Sequence, residues 1–252
     1  MNKGIRMRRS RNALIYLLVS ILLTILLVLF ALSVFMRVME IEVSGVTKYS
    51  NMEIIEASGI TAGDNILLLD TTAAEHMIKL AMPYISEVSV RPSLPATIQI
   101  SVSESVAVAT IEHRNAVLLI DPSGKVLDKL DTAPKGMIEI RGFIPLEAEV
   151  GSRLRAMSGG ETQLRSLTEV LSAFESAGML GEISYLDVSN ISTINFGYAG
   201  RFQVMLGGSA NIAHKLEQLP SFVSSIDRER PGDVTGTINM SNSPEWIFTE
   251  DR

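Results

Sequence analysis

The feature that most constrains this chain is a run of 24 residues without a charge, from Ala13 to Met36. A helix of that length rises about 36 Å, and the hydrocarbon core of a bilayer is roughly 30 Å thick. The run is therefore long enough to cross a membrane. The sequence predicts one transmembrane helix over residues 13–36, and only the remaining residues are available for globular domains.

Basic residues are distributed unevenly on the two sides of this run. Five of them precede it and only Arg37 stands directly after it, so the positive-inside rule predicts that residues 1–12 form a cytoplasmic basic tail. The rest of the chain is then expected outside the cytoplasm, as in a single-pass type II protein of the cell membrane. The five basic residues are Lys3, Arg6, Arg8, Arg9 and Arg11.

A cleaved signal peptide is the competing interpretation of the same run, because Ala31 and Ser33 are small residues two positions apart, as a cleavage site requires. The run is, however, longer than the roughly 7–15 residues that are usual for the apolar part of a signal peptide. It also continues beyond Ser33 to Met36. An uncleaved anchor is therefore the prediction that we retain.

Composition excludes several classes of function. The net charge of the whole chain is −6 although its tail is basic, so the part beyond the span is acidic and is a poor surface for nucleic acid. The absence of cysteine excludes disulfides, a thiol nucleophile and thiolate metal sites. The histidines His76, His113 and His214 lack metal-ligand spacing. No catalytic residue, cofactor, metal site or small-molecule substrate is predicted.

Residues 38–110 follow the order strand, helix, helix, strand, strand. Ser50 and Glu53 have the spacing of a capping box, which predicts a short helix. The second helix is expected to stop before Pro83, because proline disfavours helix in the residue before it. The strands are predicted from apolar residues at alternate positions, which are Met39, Ile41, Val43, Val88, Val90, Ile98, Ile100, Val102, Val106 and Val108.

Glu104 is the one charged residue on the apolar face of the last of these strands. We expect it to be solvated or paired with a basic neighbour such as Arg91, since buried charges persist only when they are paired. A catalytic role would require a second titratable group nearby, and none is visible in the sequence around it.

The order and several short phrases of this segment resemble the POTRA domain of the FtsQ/DivIB family of bacterial cell division proteins. Where that family commonly has Glu-Arg-x-Pro-x-Ala, this chain reads Glu104 to Ala109 without the arginine and the proline. The resemblance implies a POTRA fold over residues 38–110. The matching phrases are Ile41-Glu42-Val43-Ser44-Gly45, Gly63-Asp64-Asn65-Ile66-Leu67, Val88-Ser89-Val90-Arg91 and Leu94-Pro95.

Residues 111–252 are predicted to form a second domain of strands with packed helices. Asp121-Pro122-Ser123-Gly124 suits a type I turn between the two strands of a hairpin. Helical spacing of apolar residues follows in two segments, 161–177 and from Ile212 to Val223. The resemblance implies a β domain here as well. Further strands are predicted at 137–140, 183–188, 201–206, 234–240 and 245–249.

The predicted fold class is thus α+β, with one transmembrane helix, a POTRA domain and a C-terminal mixed β domain. The resemblance implies a scaffold that links membrane division proteins at the septum and helps control septal cell-wall synthesis without enzymatic activity. The partners it implies are FtsB/DivIC-like and FtsL-like bitopic proteins. The alternative that the residues leave open is a membrane-anchored extracytoplasmic enzyme or sensor that acts on cell-wall material.

The partner site is predicted on the last strand, 245–249. A terminal strand at a sheet edge presents unpaired N–H and C=O groups that can accept another strand, and proline at Ile247 should block this by removing a donor. In FtsQ/DivIB-like proteins this edge and a nearby helix receive FtsB/DivIC. The alternative is that Trp246 only fills the core, as large aromatics often do. The residues onto which the resemblance maps the contact are Trp246, Ile247, Phe248 and Thr249, with Lys215 as a charged contact.

Overall fold

The computed structural model describes residues 4–208, 210–241 and 246–251. The chain divides into two compact units. The first unit comprises the chain up to Ala81 together with Ile85–Glu104, and the second comprises Met82–Tyr84 and the chain from Ser105 onward. Helices and mixed sheets occur in both, so the predicted α+β class is confirmed.

The first unit begins with one long helix, α1 (Gly4–Phe35). Every side chain from Ala13 to Phe30 is exposed, although nearly all of them are apolar. The stretch Ala13–Ala31 is long and apolar enough to cross a membrane. An apolar surface of this extent is stabilised only by removal from water, so α1 fits the predicted transmembrane anchor.

A three-stranded sheet and two helices follow α1. The sheet has the order β1-β3-β2, with β1 parallel to β3 and β2 antiparallel to it. Ile54 and Ile78, one from each helix, are fully buried in the core of this unit. This is the strand, helix, helix, strand, strand order that the sequence predicts. The elements are β1 (Glu40–Ser44), α2 (Asn51–Ser58), α3 (Thr71–Ala81), β2 (Ile85–Ser93) and β3 (Thr97–Glu104).

The predicted capping box is present at the start of α2. The backbone N–H of Glu53 donates to Oγ of Ser50 at 3.3 Å, and the backbone N–H of Ser50 donates to the Glu53 carboxylate at 2.7 Å. At the other end Gly59 has a φ of 68°, the left-handed conformation that glycine adopts without strain. Both ends of this helix are therefore set by local sequence.

Glu104 departs from the expectation, because it pairs with backbone rather than with Arg91. Its carboxylate accepts the N–H groups of Thr47 and Lys48, each at 3.0 Å, and the hydroxyl of Thr47. Burial by itself raises the pKa of Glu104, but these hydrogen bonds outweigh that effect and the pKa lies below its ordinary value. The carboxylate thus fastens the loop after β1 to the end of β3.

The second unit is built on a mixed sheet of nine strands and a separate two-stranded hairpin. The nine are β4 (Ala109–His113), β5 (Ala116–Ile120), β6 (Val126–Leu130), β7 (Ile138–Arg141), β10 (Ile183–Asp187), β11 (Ile194–Tyr198), β12 (Phe202–Gly207), β13 (Gly236–Asn239) and β14 (Ile247–Glu250). Their order in the sheet is β14-β13-β12-β11-β10-β7-β4-β5-β6. The hairpin consists of β8 (Pro145–Glu147) and β9 (Arg155–Ala156).

Two helices bury their apolar sides against this sheet. Phe174 of α4 (Glu161–Ser176) and Leu216 of α5 (Ile212–Glu229) are both fully buried. The ring of Phe174 meets that of Phe196 edge to face, with centroids 5.0 Å apart. The sheet and both helices share one hydrophobic core, as the helical spacing of the sequence predicts.

The connection between the first sheet and the second differs from the prediction. Val106, predicted to extend β3, is 71% exposed and lies outside it. The chain leaves β3 at Ser105, whose hydroxyl donates to the carboxylate of Asp121 at 2.8 Å. It then enters the nine-stranded sheet at Ala109, within the range assigned to the first domain. That the two units are independent domains stays a prediction.

We expect Glu104→Gln to lower the free energy of unfolding of the first unit by about 1–2 kcal/mol near neutral pH, because an amide accepts hydrogen bonds less strongly than a carboxylate. The folded pKa of Glu104 is depressed from 4.5, so its contribution is complete above that value and disappears as the pH falls through the folded pKa. Urea unfolding in mild detergent at several pH values measures the difference. Glu87→Gln, at an exposed strand position, is the control, and a difference that did not shrink on acidification would contradict this role.

Candidate functional site

The strand β14 lies at one edge of the nine-stranded sheet. It pairs antiparallel with β13, which places Phe248 opposite Ile238 and Thr249 opposite Thr237. The strand is shorter than the predicted 245–249, because it begins after Trp246. Glu245 lies outside the described residues.

The direction of the backbone groups in β14 follows from a hydrogen bond at the end of this pair. The N–H of Asp251 donates to the carbonyl oxygen of Thr235 at 3.1 Å, and these two residues continue the register of β13 and β14. Bonding direction alternates from residue to residue along a strand. Ile247 and Thr249 therefore turn their N–H and C=O groups towards β13.

The backbone groups that point away from β13 are those of Phe248 and Glu250. Among the described residues no backbone group is paired with them. This geometry corrects the expectation for Ile247→Pro. The N–H of Ile247 faces Asn239 of β13, so proline at this position would break pairing inside the sheet rather than block an added strand.

The opposite edge of the sheet, at β6, is partly covered by the chain itself. The N–H of Val126 donates to the carbonyl oxygen of Ser152 at 2.9 Å, and the N–H of Gly151 donates to that of Val126 at 2.8 Å. Natural proteins commonly protect sheet edges with such segments. In the part of the chain that the structure describes, β14 has no cover of this kind. It is therefore the edge available to a further strand.

The aromatic side chains next to this edge hold it to the core on one face. The ring of Phe248 meets that of Phe202 edge to face at 6.0 Å, and the guanidinium of Arg230 lies over Phe248 at 5.2 Å. The indole of Trp246 packs edge to face against Phe222 of α5 at 5.3 Å. Trp246 is thus half-buried against α5, and only its remaining surface is available to a partner.

The other face of β14 is open to solvent. Ile247 is 57% exposed and Thr249 is exposed as well. At the end of the strand Glu250 forms an ion pair with Arg230 at 2.6 Å, and both side chains are about half-exposed. A strand added at this edge would therefore find backbone donors and acceptors flanked by an apolar side chain and a charged pair.

Gly236 is the residue of β13 that lets β14 approach. A Cβ atom on it would lie 2.3 Å from the carbonyl oxygen of Thr249 and 2.7 Å from Cε2 of Phe248. Any other residue would push β14 outward or displace the phenyl ring. The position of the edge strand thus depends on a missing side chain in its neighbour.

Lys215 does not lie where a charged contact with a partner requires it. The side chain is 7% exposed, and its Nζ donates to the carbonyl oxygen of Leu206 at 2.6 Å. Burial lowers the pKa of Lys215. The ammonium group fastens α5 to β12, so the expectation that it offers its charge to a partner is corrected.

None of the described residues form a group of three or more His, Asp or Glu that could hold a metal ion. A groove of about 560 Å³ between α4 and α5 is lined by small and apolar residues, with Glu217 as its one titratable side chain. Acid–base chemistry generally needs convergent titratable groups, and this groove brings a single carboxylate.

Comparisons with known proteins agree on one family. Residues 36–105 match the family model of the FtsQ-type POTRA domain. The cell division protein FtsQ of Corynebacterium glutamicum is 32% identical over 115 residues, which cover 46% of this chain and 51% of that protein. The cell division protein DivIB of Clostridium botulinum is 29% identical over 213 residues, 84% of this chain and 82% of that one. DivIB of Clostridium tetani is 25% identical over 222 residues, 88% of this chain and 82% of the relative.

A solved structure, the extracytoplasmic domain of DivIB from Geobacillus stearothermophilus, is also similar. It is 15% identical, and the match covers 51% of this chain and 98% of that one with a TM-score of 0.32. A score at this level is too low to support an inference about fold.

A long apolar helix that leads directly into an FtsQ-type POTRA unit, followed by a mixed sheet, fits a membrane-anchored POTRA protein. The chain is similar to the cell division proteins FtsQ and DivIB. The names of the relatives support a role in cell division. The match to the Corynebacterium relative spans about half of that protein's length.

We expect Gly236→Ala to destabilise the second unit by about 1–3 kcal/mol, because the added methyl group cannot be accommodated between β13 and β14. Amide hydrogen exchange in β14 should accelerate more than exchange in β4. Gly181→Ala is the matched control, since a Cβ atom there meets nothing within 4 Å and the residue does not have a positive φ. Equal exchange of β14 in the wild type and in Gly236→Ala would contradict the close approach.

Proposed function

We propose that this protein is a non-enzymatic scaffold of bacterial cell division that binds a partner by strand addition at β14. The observation that carries the proposal is the outward backbone of Phe248 and Glu250, which is unpaired in the described chain. Backbone pairing supplies affinity in this mode of recognition, and the side chains beside it supply selectivity. Here those side chains are Ile247, Thr249 and the free surface of Trp246.

The partners that we infer are bitopic division proteins like FtsB/DivIC and FtsL. The strand is added by the FtsB/DivIC-like chain, and the resulting complex helps control septal cell-wall synthesis. The protein is held in the cell membrane by a single span, with residues 1–12 in the cytoplasm and the chain after the span outside. It gathers these partners at the division septum. The similarity to FtsQ and DivIB proteins and the long apolar helix support this arrangement.

Glu250→Pro is the variant that tests strand addition. Proline is tolerated in an edge strand where its missing N–H would face outward, so β14 should stay paired with β13. We expect recovery of the FtsB/DivIC-like chain with the full-length protein from dividing cells to fall at least tenfold, while the melting temperature changes little. Full recovery with a folded Glu250→Pro protein would remove the binding site from this edge.

Two control variants separate the backbone effect from other effects of this change. Glu250→Gln removes the ion pair with Arg230 but keeps the N–H, and an exposed pair of this kind contributes only about 0–1 kcal/mol, so binding should persist. Thr249→Pro removes an N–H that faces β13, so it should lower the melting temperature as well as binding. Equal effects of proline at 249 and 250 would contradict the alternation on which the proposal depends.

The proposed orientation can be tested separately, because the chain has no cysteine of its own. A single cysteine at exposed Asp131 should react with a membrane-impermeant maleimide in intact cells. A single cysteine at Asn2 should react only after the cells are permeabilised. Labelling of position 2 in intact cells would contradict a cytoplasmic amino terminus.

A further inference from the structure

One end of the first unit is held directly against the end of the membrane helix. After α1 the chain continues into backbone pairing with a loop: the N–H of Ile66 donates to the carbonyl oxygen of Met36 at 2.9 Å, and that of Gly63 donates to Val38 at 2.8 Å. The loop continues into Leu67 and Leu68. These two leucines are therefore next to the residues that leave the membrane.

The turn between β2 and β3 lies at the same end. Because β1 and β3 are parallel, with Glu40 opposite Thr97, the start of β3 is beside the start of β1. The N–H of Met39 donates to the carbonyl oxygen of Ala96 in that turn at 2.8 Å. Leu94 belongs to the same turn. The strand register thus brings Met39 and Leu94 to the same end of the unit as the end of α1.

These four side chains are exposed. Met39, Leu67, Leu68 and Leu94 are between 54% and 84% accessible, with Leu68 the highest. Apolar side chains of this size are stabilised when they are removed from water. A group of exposed apolar side chains at one end of a small unit therefore indicates a surface that contacts something other than water.

The bilayer is the partner that we infer for this surface, because α1 connects the surface directly to it. From Ala13 to Phe35, α1 rises about 33 Å, slightly more than the hydrocarbon thickness of roughly 30 Å, so Phe35 reaches the lipid interface. Val38 is already buried in the POTRA core. Only two residues separate the helix from the fold. A connection this short cannot hold this end of the unit away from the membrane.

We propose that this end of the POTRA unit rests in the interfacial layer of the bilayer that holds α1, with Met39, Leu67, Leu68 and Leu94 among the lipids. The inference does not depend on the edge strand β14. It gives the POTRA unit a fixed orientation on the membrane, set by four contacts in addition to the covalent link.

Charge indicates that apolar insertion, rather than attraction to anionic headgroups, holds this surface. Arg37 is exposed near it, but two carboxylates are present as well. Asp64 accepts the N–H of Thr61 at 2.8 Å, and Asp70 accepts that of Ala73 at 3.0 Å. Glu40, which directly follows Met39, is exposed at the same end, so carboxylates outnumber Arg37 there and this end gains little from a negatively charged surface.

The test uses the full chain in phosphatidylcholine vesicles, with a single cysteine introduced at Leu68 or Leu94 and labelled with an environment-sensitive fluorophore. Leu80→Cys and Met52→Cys are matched controls, because both residues are exposed and apolar. Leu80 is near the end of α3, which leads to the far end of the sheet. Met52 is in the first turn of α2, which follows the far end of β1.

We expect lipids that carry a quencher in the acyl chain to quench the labels at 68 and 94 several-fold more strongly than those at 52 and 80. The result should be the same when anionic lipid is added. Equal quenching at all four positions, or no quenching at 68 and 94, would overturn the proposal. Quenching that requires anionic lipid would overturn apolar insertion, and loss of the protein from the vesicles on alkaline extraction would overturn the span on which it rests.

Discussion

The pairing of β14 with β13 is the interaction on which the candidate site depends. Gly236 permits the close approach of the two strands, and Phe248 fixes the outer strand to the core through Phe202. These contacts use one backbone edge and one face of β14. The strand is therefore held in place while its second backbone edge stays free, and a fixed strand with a free edge pays little entropy when another strand is added.

The POTRA unit could be predicted closely because its elements are determined by local chemistry. A capping box, a left-handed glycine and half-buried strands each leave a short pattern that a single sequence reveals, as at Ser50 and Gly59. Gly45 adds a further constraint, because a Cβ atom there would overlap the carbonyl oxygen of Val102. The partners of Glu104 could not be predicted, since they are backbone groups that only the folded loop brings to it.

Much less of the second unit and of its site could be predicted. The first three residues of β4 are all buried, which removes the alternation that identifies a strand, and β11 contains Asn195 and Gly197, which are depleted in strands. The burial of Lys215 depends on the carbonyl oxygen of Leu206, which no local pattern indicates. The sequence predicts the edge strand itself. It does not indicate which N–H groups of that strand face outward, because their direction depends on the register with β13.

The most direct test of the central claim is residue-resolved amide hydrogen exchange in β14, with and without the extracytoplasmic segment of the FtsB/DivIC-like partner. Strand addition at this edge predicts that the amides of Phe248 and Glu250 become protected when the partner binds. Those of Ile247 and Thr249, which already face β13, should change little. Binding of the partner without new protection at Phe248 and Glu250 would contradict the account.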